Sequence, residues 1–448
     1  MSSIGVAPVS KNVVPLHRSA GQSRGKSAEK SSIIAALDIG SSKICCLIGE
    51  VAPDRRRGGG EQGAVKVVGV GHQASRGVRA GAVVDLDAAE RAIRLAVDAA
   101  ERMAGRTVSD VFVNVSGGRP RCQNQSGEIA VGGGKVTAFH VDRVISAAVG
   151  GFDAGHRVIV HSTPLQFSLD EARGIADPAE MFGERLGVEV SLLTLEPGML
   201  RNLALAVERC HLSVAGFVAA PYASGRSVLV EDEMELGVTL VELGGATTSF
   251  AVFREGHLAF SDMLPVGGQH ITNDIARGLS TSIAHAERMK TLYGSALPSV
   301  WDERELLSVP LIGEQGFDTV QKLPRSLLTG IIRPRLEETF EMIRDRLERS
   351  PQARKAGRRV VLSGGASQLP GVRELAGQYL DRNVRLGAPR ALPGLPDAAR
   401  NQAFAVSIGL LLYALKPDRQ VANPGHGGEP AGGHGYFMRV GRWIKESF

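Results

Sequence analysis

Two stretches of the chain share an arrangement of acidic, glycine and hydroxyl residues that suits phosphate binding. They are residues 37–43, LDIGSSK, and residues 241–248, VELGGATT. In each, an apolar strand ends in an acid, a glycine-containing turn follows, and a second apolar strand leaves the turn. Glycine lets the backbone approach a ligand closely, and successive backbone N–H groups in a turn can hold a phosphate. The predicted phosphate-binding residues are Gly40, Ser41, Ser42, Lys43, Gly244, Gly245, Ala246, Thr247 and Thr248.

The acids of the two stretches, Asp38 and Glu242, would face the same cleft. Carboxylates beside phosphates suit Mg²⁺, a hard cation that keeps several of its waters. We therefore expect both acids to hold Mg²⁺ through water. Ordinary turn chemistry would explain either stretch alone, since a strand, a glycine turn and a second strand are common. Two matched copies favour a nucleotide site.

A third glycine turn and a charged helix face complete the set of candidate residues. Gly364, Gly365 and Ala366 follow an apolar strand and open a helix, a place where a nucleotide can pack against bare backbone. Glu287 and Lys290 lie three positions apart and so share one helix face. Considered alone, this pair would be a solvated surface pair.

The elements that position these residues alternate between strands and helices, so we expect an α/β protein with more than one domain. Residues 1–30 have the composition of a disordered tail, and a small, separate α+β unit is expected at 111–192. The last core helix is predicted at 402–415. Residues 417–435, rich in Pro and Gly, are expected to form a flexible linker.

Residues 436–448 are predicted to form an amphipathic helix lying on a membrane surface. Apolar residues share one helical face and cationic residues the other. The predicted membrane-contacting residues are Phe437, Arg439, Val440, Arg442, Trp443, Ile444, Lys445 and Phe448. A terminal helix docked on the protein's own core is the alternative.

Composition narrows the classes of function. The chain has 52 Lys+Arg against 47 Asp+Glu, a net charge of +5 that does not require a polyanionic partner, so no nucleic-acid binding is expected. The 4 cysteines form no CxxC pair, which favours reduced thiols and a cytoplasmic location. Residues 1–30 hold no apolar stretch of signal-peptide length.

Together these motifs resemble the actin/hexokinase/heat-shock-ATPase superfamily, and most closely its bacterial cell-division FtsA family. The three glycine turns match, in order, the first phosphate, second phosphate and adenosine elements. The resemblance implies a two-domain actin-like (ribonuclease-H-like) fold with an inserted small α+β subdomain. It places the first domain at 31–110, 193–236 and 400–416, the insertion at 111–192 and the second domain at 237–399, with a smaller part at about 272–358.

The resemblance also implies a function. The chain is expected to bind ATP and Mg²⁺, with Glu287 and Lys290 contacting the ribose or base and residues 364–366 lining the adenosine pocket. It would form filaments with itself, bind membrane lipids and the C-terminal peptide of FtsZ, and help recruit later division proteins. The peptide site is expected within 272–358, where Arg333 and Arg335 precede a predicted helix at 336–349. The expected location is the cytoplasmic face of the inner membrane at the division site, as a peripheral protein.

Two departures from the family pattern bear on ATP hydrolysis. Glu242 stands where Asp is usual, and Ala220 stands where actin relatives that hydrolyse ATP readily carry a Glu. An alanine cannot orient an attacking water. At most a weak ATPase is therefore expected. The alternative functions are a pilus-assembly scaffold of the same superfamily and a kinase on the same fold.

Overall fold

The computed structural model describes residues 32–51, 65–313, 320–415 and 417. The predicted tail, the linker from 418 onward and the predicted membrane helix lie outside the described residues, so they stay predictions.

The first part of the chain forms three long strands, a short ribbon and a helix. The elements are β1 (Ser32–Ile39), β2 (Lys43–Val51), β3 (Val65–Ala74), β4 (Val78–Arg79), β5 (Ala82–Val83), α1 (Leu86–Ala104) and β6 (Asp110–Val115). Asp85 caps α1 by accepting a hydrogen bond from the Ala88 N–H at 3.0 Å, and Gly105 ends the helix in the left-handed conformation.

A separate unit follows, made of a four-stranded antiparallel sheet and one helix. Its elements are β7 (Arg121–Ala130), α2 (Ala138–Gly150), β8 (Val158–Leu169), β9 (Ala172–Ile175) and β10 (Arg185–Leu195), with sheet order β7-β10-β8-β9. Buried residues of α2, including Val144 and Ile145, pack against Leu186 and Val188 of β10. We call this the inserted unit.

The boundary and strands predicted for the inserted unit need correction. The strand expected to open it, at 111–115, is β6, which pairs in parallel with β1 and belongs to the first sheet. The strands predicted separately at 158–161 and 165–169 form one continuous strand, β8. Strand β7 was missed because its residues are mostly polar and none is fully buried, so its sequence has no apolar alternation.

The chain then returns to the first sheet and crosses to a second one. The connecting elements are α3 (Pro197–Glu208), β11 (Ser213–Ala219), α4 (Ala220–Val228) and α5 (Glu231–Leu236). The first sheet has the order β11-β6-β1-β2-β3. Helices α1 and α3 cover one face of it, where Cys46 is buried, while α4 and the last helix cover the other, where Cys45 is buried.

The second sheet repeats the plan of the first. The remaining elements are β12 (Val238–Leu243), β13 (Thr248–Arg254), β14 (His257–Leu264), α6 (Gly268–Gly278), α7 (Ile283–Tyr293), β15 (Leu306–Pro310), β16 (Val320–Pro324), α8 (Arg325–Arg349), α9 (Pro351–Arg354), β17 (Arg359–Ser363), α10 (Val372–Leu380), β18 (Asn383–Leu386) and α11 (Ala405–Leu415). Its order is β14-β13-β12-β17-β18. In both sheets the central strand pairs antiparallel with the next strand along the chain and parallel with the strand on its other side.

Two helices, α4 and α11, pack in the core that joins the two sheets. They cross so closely that a Cβ atom on Gly409 would come within 1.7 Å of the Ala223 carbonyl oxygen. Helix α8 begins eleven residues before the predicted start at 336 and includes Pro334, a residue type that usually breaks or kinks a helix. Within the described part of the chain, no helix has the length and apolar character that crossing a bilayer requires.

Candidate functional site

The two predicted phosphate turns adopt the same geometry on opposite walls of one cleft of about 1120 Å³. In the first, the Gly40 N–H donates to the Lys43 carbonyl oxygen at 3.0 Å. In the second, the Gly244 N–H donates to the Thr247 carbonyl oxygen at 2.9 Å. Each turn joins the central strand of its sheet to the next strand, β1 to β2 and β12 to β13. The internal repeat in the sequence is therefore a structural repeat.

The two turns lie in contact across the cleft. A Cβ atom on Gly245 would come within 2.9 Å of the Ser42 Cβ, and the Gln269 side chain donates to the Ser41 carbonyl oxygen at 3.2 Å. Only a residue without a side chain fits at Gly245 in this arrangement.

The acids at the strand ends differ in their partners. Asp38 is buried and accepts a hydrogen bond from Ser407 Oγ at 2.8 Å. Burial raises the pKa of Asp38, while Lys43 and the Ser407 hydroxyl oppose that rise. Burial and the charge of Asp38 raise the pKa of Glu242 to about 8. The buried Oε2 of Glu242 has no hydrogen-bond partner among the described residues. The site therefore holds a buried carboxyl oxygen of Glu242 that no described protein group satisfies.

Asp38 and the first turn are held in place by the neighbouring strand. The Asn114 side chain on β6 accepts from the Ile39 N–H at 2.6 Å and donates to Ser116 Oγ at 3.2 Å. Ser116 itself lines the cleft.

The predicted adenosine residues line the same cleft, close to the second phosphate turn. Gly364 has a φ of 84°, in the left-handed region, and opens a 3-10 turn at Gly365–Gln368. Lys290 donates to Glu287 at 2.7 Å, to Thr272 Oγ1 at 2.8 Å and to the Gly268 carbonyl oxygen at 3.1 Å. Lys290 and Glu287 therefore form part of a bonded network on the cleft wall, in which Lys290 is mostly buried and Glu287 is half-exposed.

All but one of the predicted nucleotide residues line this cleft. Those that line it are Asp38, Gly40, Ser41, Ser42, Lys43, Glu242, Gly244, Gly245, Ala246, Thr247, Glu287, Lys290, Gly364, Gly365 and Ala366. Thr248 does not line it. The side chain of Thr248 is buried and donates to the Val266 carbonyl oxygen at 2.8 Å, so it supports the loop before α6.

Sequence reasoning missed several parts of the cleft. Arg79, on the ribbon β4–β5, lines it, and the Gly81 N–H of the same ribbon donates to Ser41 Oγ at 3.3 Å. The segment 402–407 also approaches the site, through contacts with Lys43, Asp38 and Gly364. No sequence motif marks either part, because both reach the site only through the packing of distant segments.

Three further predicted positions lie away from the cleft or are already paired. Ala220 starts α4 and is fully buried in the core. Arg333 pairs with Glu337 at 2.7 Å. Arg335 pairs with Asp274 at 2.6 Å and also contacts Glu338. Both arginines lie inside α8 rather than before a helix, and both are neutralised by neighbours in the same chain.

Comparison with known protein families gives matches over two parts of the chain. Residues 239–409 match the family model "Cell division protein FtsA", and residues 117–194 match the model "SHS2 domain inserted in FTSA". The second match covers the inserted unit and excludes β6.

Near full-length relatives support the same family. The chain is 48% identical over 424 residues to the cell division protein FtsA of Rhizobium meliloti, covering 94% of this chain and 96% of the relative. It is 32% identical over 428 residues to FtsA of Escherichia coli K12, covering 94% of this chain and 99% of the relative.

Solved structures show the same fold at low sequence identity. A PilM–PilN type IV pilus biogenesis complex gives a TM-score of 0.59 at 17% identity, covering 86% of this chain and 99% of the solved one. MreB5 of Spiroplasma citri bound to ADP gives 0.50 at 13% identity, covering 85% and 95%. The fold is thus actin-like, and the identity to full-length relatives shows that this chain belongs to the FtsA family of cell-division proteins.

Proposed function

We propose that the chain binds ATP with Mg²⁺ in the cleft and, as a filament, tethers the FtsZ ring to the cytoplasmic membrane at the division site. The observation that carries the nucleotide assignment is the pair of matched turns facing each other across the cleft. Residues of both turns line the cleft, and successive backbone N–H groups in a turn can hold phosphate oxygens. MreB5, which shares the fold, was solved with ADP bound.

The acids of the cleft fit a divalent cation. Glu242 has an unpartnered buried oxygen, and burial together with the charge of Asp38 raises the pKa of Glu242. A cation near both would relieve that repulsion, and Mg²⁺ beside phosphates supplies charge neutralisation of their oxygens. We infer that Asp38 and Glu242 hold the ion through water.

The remaining side chains would bind and orient the nucleotide. Lys43 brings a buried ammonium to the first turn and would pair with phosphate oxygens. Gly365 and Ala366 leave bare backbone for the adenosine, and the network of Glu287, Lys290 and Thr272 would present polar atoms to its ribose or base.

The membrane and FtsZ assignments depend on different parts of the chain. Membrane attachment rests on the sequence pattern of 436–448, and FtsZ binding on the family together with the exposed surface of 272–358. We propose that the filament joins these two contacts and helps to recruit later division proteins. The likeness to the pilus complex concerns the fold alone and gives no separate support to a pilus scaffold.

A co-pelleting experiment tests the proposal as a whole. The full chain is mixed with vesicles containing anionic lipid, with FtsZ, and with ATP and Mg²⁺ or neither. We expect FtsZ to pellet with the vesicles only when the chain is present, and more when ATP is present. The proposal is wrong if FtsZ stays in the supernatant in every mixture, or if calorimetry detects no binding of ATP by the chain alone.

A further inference from the structure

The segment 402–407 contacts two of the three nucleotide elements of the cleft, the adenosine turn and the first phosphate turn with its strand-end acid. The Gln402 carbonyl oxygen accepts from the Gly364 N–H at 3.2 Å. The Phe404 ring lies beneath the Lys43 ammonium, and Ser407 Oγ donates to Asp38 at 2.8 Å. One short piece of chain therefore links the adenosine turn, the first phosphate turn and its strand-end acid.

The contact between Lys43 and Phe404 is unusual for a buried cation. Lys43 Nζ lies 3.3 Å from the centroid of the Phe404 ring and has no hydrogen-bond partner among the described residues. Asp38 and Glu242 act on this ammonium electrostatically and favour its charged form, although burial lowers the pKa of Lys43. The ring is itself fixed by an edge contact with His72, with ring centroids 6.1 Å apart.

An aromatic face and a carboxylate hold an ammonium in different ways. A ring face attracts the cation through its quadrupole but takes up none of its N–H donors in a strong hydrogen bond. A carboxylate would accept one or more of the three donors. An ammonium held by the ring therefore keeps its donors available for the oxygens of a bound phosphate.

We propose that Phe404 is a positioning residue for nucleotide binding, whose ring holds the Lys43 ammonium in the cleft with its donors free for phosphate. This inference rests on the proposed binding of ATP. Without the ring, the ammonium turns to Asp38 or Glu242, and a phosphate must then compete with that ion pair. Adenosine has no phosphate, so its binding does not depend on Phe404.

The test compares nucleotides in variants of Phe404. Phe404→Leu keeps an apolar side chain of similar size and removes the aromatic face. We expect its Kd for ATP and for ADP to rise by about 3-fold to 30-fold, with the Kd for adenosine unchanged. Phe404→Tyr, which keeps the ring, should bind ATP like the parent. Phe139→Leu serves as a matched control, because Phe139 is exposed on the inserted unit.

A double-mutant cycle separates positioning from packing. In a Lys43→Met background, Phe404→Leu should cause no further loss of ATP affinity, since the ring acts through the ammonium. The inference is overturned if Phe404→Leu binds ATP as well as the parent, if its loss persists in the Lys43→Met background, or if adenosine binding falls equally. If the parent itself binds no ATP, the proposed function fails along with the inference. Melting temperatures of all variants check folding, and Phe404→Met, which also replaces the aromatic face with a flexible apolar side chain, takes the place of Phe404→Leu with the same expected losses if Phe404→Leu does not fold.

Discussion

Gly364 lies so close to Leu243 that a Cβ atom at its position would come within 2.4 Å of the Leu243 carbonyl oxygen. Its neighbour Gly365 lines the cleft, and the nearest atom to an added Cβ there is Ala403 Cβ at 3.7 Å. The two adjacent glycines are thus needed for different reasons. Gly364 is needed for the fold, because it has a positive φ and abuts backbone, whereas Gly365 is needed only to keep the cleft open.

The first prediction follows from this difference. Gly365→Glu should fold like the parent and lose ATP binding, since its side chain and charge enter the space meant for the adenosine. Gly365→Ala is the matched control and should keep both the fold and most of the affinity. Calorimetric titration with ATP and thermal melting measure the two properties. Equal ATP affinity for Gly365→Glu and the parent would reject the placement of adenosine at this turn.

The sequence correctly predicts elements whose pattern lies within one short stretch of the chain. Strands β1, β2, β12 and β13 are apolar segments around short glycine turns, so their positions were predicted correctly. Thr248 was expected in the cleft, but its side chain is bonded to Val266, which nothing in the sequence shows.

The elements and contacts that the sequence did not predict depend on tertiary packing. Strand β7 is held by its pairing with β10 rather than by an apolar pattern of its own. Pro334 is accommodated within a 25-residue helix whose flanking residues Ile332 and Leu336 are anchored in the core. Phe404 acts through Lys43, which is distant in the sequence. Each of these relationships exists only after the chain has folded.

The second prediction is that ATP turnover is slow. The acids lining the described part of the cleft are Asp38, Glu242 and Glu287. Asp38 is bonded to Ser407, Glu287 is bonded to Lys290 and Thr272, and Glu242 is assigned to the cation. Ala220 is buried and offers no carboxylate. No acid remains to orient water, so phosphate release should stay far below the rate of about 10 per second that is common for enzymes.

Phosphate release is measured with the full chain under saturating ATP, with and without vesicles. A chain lacking ATP binding, such as Gly365→Glu, gives the background rate. Turnover at the common enzymatic rate would show that another group supplies the base.

The third prediction concerns the surface that meets the FtsZ peptide. Within 272–358, Val300, Trp301 and Leu306 are exposed, and the Arg304 guanidinium lies 5.6 Å from the Trp301 ring centroid. Exposed aromatic residues beside a cation often dominate protein interfaces. Trp301→Ala should therefore weaken peptide binding by about tenfold or more. Arg333→Ala should have little effect, because that guanidinium is already paired with Glu337.

Fluorescence anisotropy with a labelled C-terminal peptide of FtsZ measures both variants, with Phe139→Ala as an exposed aromatic control on the inserted unit. Loss of binding in Arg333→Ala together with full binding in Trp301→Ala would contradict this assignment.

The fourth prediction is a loss of stability in acid that originates at His161. This buried side chain accepts a hydrogen bond from the Ala219 N–H at 2.9 Å, and its ring packs 4.8 Å from that of Tyr222. Burial lowers the pKa of His161 from 6.5 to about 3. Between pH 3 and pH 6.5 the unfolded chain therefore binds a proton on His161 that the folded chain does not. This proton has no effect on the stability of the folded state above pH 6.5 and lowers it progressively below pH 6.5.

At pH 4.5 the lowered pKa of His161 reduces the free energy of unfolding by about 3 kcal/mol. Urea unfolding at pH 7.5 and pH 4.5 should show a larger acid loss in the parent than in His161→Gln, whose amide can accept the same hydrogen bond without titrating. His156→Gln, at an exposed position, should behave like the parent. An identical acid loss in the parent and His161→Gln would place the sensitivity elsewhere.

The fifth prediction is that residues 436–448 anchor the chain to membranes as an interfacial helix. They lie outside the described residues, and the sequence alone supports the prediction. At about 100° per residue, Phe437, Val440, Ile444 and Phe448 share one face with Trp443 at its border, and the cationic residues occupy the other. Burying these apolar side chains would contribute about 5–8 kcal/mol, and each cationic residue near anionic lipid about 1 kcal/mol.

Ordering the backbone offsets much of this gain, so a single copy should bind weakly and stable attachment should require a filament that presents many copies. Trp443→Glu should release the chain from anionic vesicles without altering ATP binding, because it places a charge at the apolar border. Arg442→Gln changes the net charge by the same amount on the polar face, and should reduce binding only slightly. Vesicle flotation measures both variants, and calorimetry checks ATP. If Trp443→Glu floats with vesicles as well as the parent does, the segment is not the anchor. If Trp443→Glu and Arg442→Gln are released equally, the attachment is electrostatic and does not depend on an apolar helix face.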